Sequence, residues 1–113
     1  METYVYFRKP RAMALYPEYG TEAEKIDYVK KNRVTSYQKV AMLELNSESL
    51  DVAYQATQNG MDEQYSSWVD LADQYEDNIT YVPIETRSSM VGDIFRKNGV
   101  DFIVDTAGFL EVK

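Results

Sequence analysis

Asp93-Ile94-Phe95-Arg96-Lys97-Asn98-Gly99-Val100-Asp101-Phe102-Ile103-Val104-Asp105 is the stretch whose reading decides the fold. Asn98-Gly99 stands between two apolar, β-prone runs. Both residues accept the positive φ of a type I′ turn, whose twist matches that of paired strands. A loop of only these two residues sets the register by counting. Lys97 then faces Val100, Arg96 faces Asp101, Phe95 faces Phe102, and Ile94 faces Ile103. Side chains alternate between the faces of a ribbon. Phe95 and Phe102 therefore meet on one side, and Ile94 and Ile103 lie on the other, beside an Arg96–Asp101 ion pair. Cross-strand pairs of this kind contribute about 0.2–1 kcal/mol each. Gly108 turns the chain again, and Phe109 to Val112 add a third strand.

Working outward, Thr3 to Arg8 is β-branched and aromatic and reads as a strand. Pro10 ends it or holds it at a sheet edge. Ala12 to Gly20 reads as a loop, with Pro17 and Gly20 as punctuation. Thr21 and Glu24 have the form of a capping box. Ala23, Ile26 and Val29 follow at helical spacing, predicting a helix over 21–32. Lys30, Lys31 and Arg33 suit the negative end of its dipole. Residues 38–45 form a strand with Ala41, Leu43 and Leu45 on one face and Val40 and Met42 on the other. Apolar residues on both faces make it an interior strand. Asn46 or Ser47 caps a helix over 47–58, with Leu50, Ala53, Tyr54 and Thr57 on its inner side and Asn59-Gly60 as its stop. The spacing of Tyr65, Trp68, Val69 and Ala72 favours a helix around 62–75 over a loop, with Trp68 as a core anchor. Ile79 to Val82 is a short strand stopped by Pro83. The sum is an α+β fold: an antiparallel sheet of four to six strands with a C-terminal hairpin and meander, and two or three short helices on one face. The 113 residues suit one domain, 1–113.

Composition excludes several chemistries. There is no cysteine and no histidine, which removes disulfides, thiolate nucleophiles, zinc–thiolate sites and the usual general base near neutral pH. No phosphate loop, zinc motif or calcium loop is present, and Asp70-Leu71-Ala72-Asp73 lacks the alternating ligands and central glycine of a calcium site. No cofactor or metal is expected. An enzyme would have to run on carboxylates, lysine, serine or tyrosine, and no carboxylate pair stands out by spacing. The start, METYVYFRKPR, has neither the order nor the apolar run of a signal peptide, and no run approaches the roughly 20 apolar residues of a membrane helix. The expected compartment is the cytoplasm.

The net charge of −7 is unevenly laid out. Residues 1–39 carry eight Lys/Arg and five Asp/Glu; residues 40–85 carry ten Asp/Glu and no Lys or Arg; residues 86–113 carry four of each. A solvated acidic face is the plain reading of the middle run. The functional reading is a partner-binding surface made by Glu48, Asp51, Asp62, Glu63, Asp70, Asp73, Glu76 and Asp77, directed at a basic protein or imitating the charge of nucleic acid. Arg8, Lys9 and Arg11 beside three aromatics could grip a nucleic-acid backbone directly. Arg87, Ser88, Ser89 and Asp93 form a polar loop before the hairpin. It either satisfies itself while setting up the turn at Gly92 or recognises a small polar group.

Thr57-Gln58-Asn59, Trp68, Arg87-Ser88-Ser89-Met90-Val91-Gly92-Asp93 and Gly108-Phe109 together resemble small proteins of phages, plasmids and some bacteria. These carry "T-x-N", a spaced "W", "RS-x-SVGD", a hairpin and "GF". The resemblance covers about residues 37 to 112, and Met90 stands where that family has serine. It implies a small accessory protein of a mobile element, acting in a host bacterium, and supplies no reaction. The expected function is therefore binding of a host protein through the acidic, tyrosine-bearing middle. The alternative is nucleic-acid mimicry, with direct nucleic-acid binding third.

Overall fold

The computed structural model describes residues 2–44, 49–58, 78–81 (main chain only) and 87–113. Six strands, β1 (Glu2–Arg8), β2 (Tyr37–Glu44), β3 (Asn78–Tyr81), β4 (Ile94–Lys97), β5 (Val100–Asp105) and β6 (Gly108–Glu111), form one sheet in the order β3-β2-β1-β4-β5-β6. Every neighbouring pair is antiparallel. Among the described residues three helices accompany it: α1 (Pro10–Leu15), α2 (Glu22–Ser36) and α3 (Leu50–Ala56). The chain is α+β, as its pattern predicts.

The hairpin has the counted register at all four positions, Ile94↔Ile103 to Lys97↔Val100. Asn98 and Gly99 take φ of 52° and 76°, the left-handed values a type I′ turn demands. Ile94 and Ile103 join one core, while Phe95 joins another on the opposite side. Arg96 Nη1 meets Asp101 Oδ1 at 2.9 Å. The β5–β6 turn and final strand complete the meander.

The first helix-forming surprise is α1, where a loop is expected. Pro10 sits in its first turn and Lys9 is its N-cap. Proline is well suited to that position because its missing N–H has no helical partner to lose. Pro10 therefore marks a strand-to-helix turn, and β1 is an interior strand between β2 and β4. The Thr21–Glu24 capping box is present with both bonds at 3.1 Å. From it α2 runs on to Ser36, beyond the expected end, because no Gly or Pro interrupts residues 22–36. It passes into β2 without a loop. Its Val29 is buried and Ile26 partly so, whereas Ala23 is exposed.

Residue α3 N-capping falls to Ser49, whose hydroxyl accepts from Asp51 N–H at 3.2 Å, in place of Asn46 or Ser47. The expected caps, Leu45, the Asn59-Gly60 stop, the helix around 62–75 and Trp68 lie outside the described residues.

The sheet is covered on both faces, not one. Val5, Phe7, Val40, Ala41, Leu43, Phe95 and Val104 pack with Ala53 of α3. Tyr37, Ile94 and Ile103 pack with Ala12 of α1 and Val29 of α2 on the other face. Helical periodicity shows which side of a helix is buried but not which face of a sheet receives it. Val40 also departs from strict alternation. Val5 pairs with Ala41 and Tyr6 with Lys39, so Val40 is an extra residue in β2. This bulge brings Val40 into the same core as Ala41 and Leu43, where alternation would place it opposite them.

Phe95 is fully buried between β1 and β5, and its ring lies 5.8 Å from that of Phe109. Phe95→Ala is expected to lower the unfolding free energy by about 3–5 kcal/mol. Urea denaturation checks this, with an earlier midpoint at unchanged slope.

Candidate functional site

The polar loop closes around Asp93, which lies fully buried directly before β4. Its Oδ1 accepts from the main-chain N–H of Arg8 at 3.0 Å and from Arg87 Nη2 at 3.0 Å. Its Oδ2 accepts from Arg87 Nη1 at 2.7 Å and from Met90 N–H at 2.8 Å. Arg8 Nε stands 3.5 Å from Oδ1. Asp93 thus receives a two-pronged arginine clamp, a second guanidinium and two amides. Charge-assisted bonds of this kind are the strong ones in a protein interior.

Each guanidinium is also held by an aromatic ring. Arg87 lies 4.0 Å from the centroid of Phe7, and Arg8 lies 5.7 Å from that of Tyr16. Between the two aspartate-binding arms the chain bends at Gly92, with φ of 94°. A Cβ there would stand 2.9 Å from Arg8 Nη1 and 3.0 Å from its Cδ and Cζ. Glycine is required twice, for the backbone angle and for the room that Arg8 occupies. Gly92 O accepts from the buried Tyr37 hydroxyl at 2.9 Å, which ties the α2–β2 junction to the loop.

Ser89 faces the end of α3. Its N–H donates to Thr57 O at 3.0 Å, its hydroxyl donates to Thr57 Oγ1 at 2.6 Å, and its carbonyl accepts from Gln58 Nε2 at 3.1 Å. The Thr57 hydroxyl in turn donates to Ala53 O and Tyr54 O. Two sequence-marked segments about 30 residues apart, Thr57-Gln58 and Arg87 to Asp93, are thus hydrogen-bonded to one another. Ser88 is half-buried and its carbonyl accepts from Arg87 Nη1 at 3.0 Å.

The arrangement does construction chemistry. Arg87, Ser89 and Asp93 bond inward, and among the described residues open grooves lie elsewhere. One of about 450 Å³ runs between α2 and the end of β6, one of about 280 Å³ between α1 and α2, and one of about 180 Å³ beside α3 and the β5–β6 turn. Among the described residues no cluster of three or more acidic side chains could hold a metal ion, and no helix is long and apolar enough to cross a membrane.

Arg8 is the residue that sequence reasoning placed wrongly. It is buried on Asp93, so it cannot grip a nucleic acid. Only Lys9 and Arg11 of that basic trio are exposed. Sequence reasoning also missed that Asp101 takes a second arginine, Arg33 Nε at 2.6 Å, and that Lys25 is buried against Asp105 at 3.0 Å. The hairpin count held a signal for both. Asp101, Ile103 and Asp105 share one face by alternation, and carboxylates beside a buried isoleucine need cations. For Asp105, burial pushes the carboxyl up, but the Lys25 hydrogen bond and charge, with the Thr106 N–H, hold it below the usual range.

Of the proposed partner-binding carboxylates, Asp51 is exposed in the first turn of α3. Glu48, Asp62, Glu63, Asp70, Asp73, Glu76 and Asp77 lie outside the described residues. Compared with protein-family models, curated proteins and solved structures, the chain matches none.

Asp93→Asn removes the buried carboxylate that Arg8 and Arg87 share, and is expected to lower the unfolding free energy by about 3–5 kcal/mol in a chemical melt. A second expectation concerns alkaline pH. Burial, with the nearby charge of Asp105, pushes the Tyr16 phenol up to about 12, and burial raises that of Tyr37 further. The unfolded phenol ionises near 10, so stability is intact below that pH and is lost progressively as pH rises toward the folded value. The Tyr16 hydroxyl is buried and has no hydrogen-bond partner among the described residues. Tyr16→Phe should therefore be neutral or stabilising at pH 7 and should shift the onset of alkaline unfolding upward, as read by thermal melts across pH.

Proposed function

We propose that this chain is a small accessory protein of a phage or other mobile element, acting in the cytoplasm of a host bacterium, and that it binds a basic surface of a host protein through its acidic middle segment. The observation that supports this is the way the sheet sorts charge. Arg8, Lys9, Arg11, Lys25, Lys30, Lys31, Arg33, Lys39 and Arg96, nine of the 12 cationic side chains, belong to α1, α2, their junctions, or strand positions facing them. The opposite face is covered by α3, which comes from the run of residues 40–85 without a single Lys or Arg.

Interior pairing sharpens the bias. Arg8 and Arg87 are committed to Asp93, Arg33 and Arg96 to Asp101, and Lys25 to Asp105. Five cations and three carboxylates are used there, leaving seven Lys/Arg and 16 Asp/Glu outside these pairs. The charge left outside these pairs is more negative than the net charge of −7. A concentrated negative field steers a basic partner and raises its encounter rate, in a salt-dependent way. No reaction is proposed, because the reactive-looking loop spends its polar groups on the fold.

The test is affinity capture from bacterial lysate on the immobilised full chain, alongside a variant carrying Asp51→Lys, Asp62→Lys and Asp73→Lys. A partner retained at low salt, released at high salt and lost by the variant is expected. No specific partner at low salt, or equal retention by the variant, counts against the reading. Competing duplex DNA separates the alternative: if it displaces the partner, the acids occupy a DNA site and the protein is a mimic.

A further inference from the structure

β6 is the last strand of the sheet, and among the described residues nothing pairs with its outer edge. The Thr106-Ala107 turn closes Asp105 on Gly108, and Val112 N–H donates to Asp101 O at 2.9 Å. In an antiparallel ladder the bonding direction alternates from residue to residue. The main-chain groups of Gly108, Leu110 and Val112 therefore point inward to β5, and those of Phe109, Glu111 and Lys113 point outward. Beside this edge lies the groove of about 450 Å³ between α2 and β6. Ala23 and Ile26 give it an apolar lining. Its charged residues balance in sign, Asp27 and Lys30 on α2 and Glu111 and Lys113 at the end of β6; Asp27 pairs with Lys31 at 3.0 Å, and Glu111 with Lys113 at 3.5 Å.

An open edge strand is a template for another strand, and a two-fold interface must be complementary to itself. The alternation of Glu111 and Lys113 along this edge meets that condition. A partner strand of one charge sign would meet repulsion at Glu111 or at Lys113, whereas a reversed copy of the same edge opposes each of these two charges with its opposite. We propose that the occupant is a second copy of this chain, with β6 pairing antiparallel to β6 of the partner about an axis through Val112. Glu111 then stands opposite the partner's Lys113, and Lys113 opposite the partner's Glu111. Val112, on the α2 side of the sheet, meets its own copy between the two apolar grooves. Moving the register so that the axis passes through Glu111 sets like charges against each other, which cross-strand pairing disfavours. The dimer seam lies at the end of the sheet away from β3, so it leaves the α3 face open.

Sedimentation velocity of the full chain over a concentration series tests this. The wild-type mass is expected to rise from monomer to dimer. Glu111→Lys or Lys113→Glu alone should weaken the dissociation constant about tenfold, and the two together should restore it. Glu111→Pro removes an outward-facing N–H and the exposed carboxylate beside Lys113, and no bond to β5. It should give a monomer with an unchanged circular dichroism spectrum and melt. A wild-type chain that stays monomeric at every concentration overturns the proposal, as does a dimer indifferent to all of these changes.

Discussion

One carboxylate joins four parts of the chain. Asp93 holds the end of β1 through the Arg8 amide and guanidinium, and holds its own loop through Arg87 and Met90. The turn beside it receives the Tyr37 hydroxyl from the α2–β2 junction, and the loop it shapes is bonded to the last turn of α3 through Ser89. A buried ion cluster is weak support for stability in itself, since removing the charges from water costs nearly what their attraction returns. Its effect lies in selection. An apolar core would accept several dockings of the hairpin against β1, but a buried carboxylate accepts only the one that brings both arginines and both amides to it.

How far the sequence could be read follows from the range of the forces involved. The hairpin and the capping box were legible because their causes are local: the backbone freedom of Asn98-Gly99, and the three-residue reach from Thr21 to Glu24. α1 was missed because Pro10 has two local meanings, a strand end and a helix start, and only the packing of Ala12 beneath α2 decides between them. The bulge at Val40 was missed because alternation gives no notice of an inserted residue. The two-sided cover of the sheet is a property of crossovers, and no periodicity within a helix encodes it. Arg87, Ser88, Ser89 and Asp93 could be seen as a group, yet their task could not. The partner that completes it, Arg8, is 85 residues away and was spoken for by a nearer pattern, the basic trio beside aromatics.

Charge sorting and interior pairing are two aspects of the same economy. The aspartates of the C-terminal meander, Asp93, Asp101 and Asp105, draw cations from β1, α2 and β4 into the structure. Cation–π contacts also hold positive side chains along the α2 face, with Arg33 5.0 Å from the Tyr6 ring and Lys39 4.9 Å from that of Tyr4. Long basic side chains are suited to this because their stems lie on apolar surface while their heads find partners. The abundant tyrosines beneath α1 and α2 thus have a structural employment, as platforms and as anchors such as Tyr37.

The central position of β1 has a consequence for how the chain comes to be folded. β1 is made first, and its partner β2 arrives within a helical excursion, so those two strands can pair early. Its other neighbour, β4, comes some 90 residues later (Thr3↔Lys97). Until then the flank of β1 presents unpaired main chain, with Val5 and Phe7 short of Phe95. Closing that gap is a contact of long sequence separation, which slows folding and prolongs exposure of a sticky strand. A chain in which β4 is missing or not yet made would therefore be the aggregation-prone form of this protein.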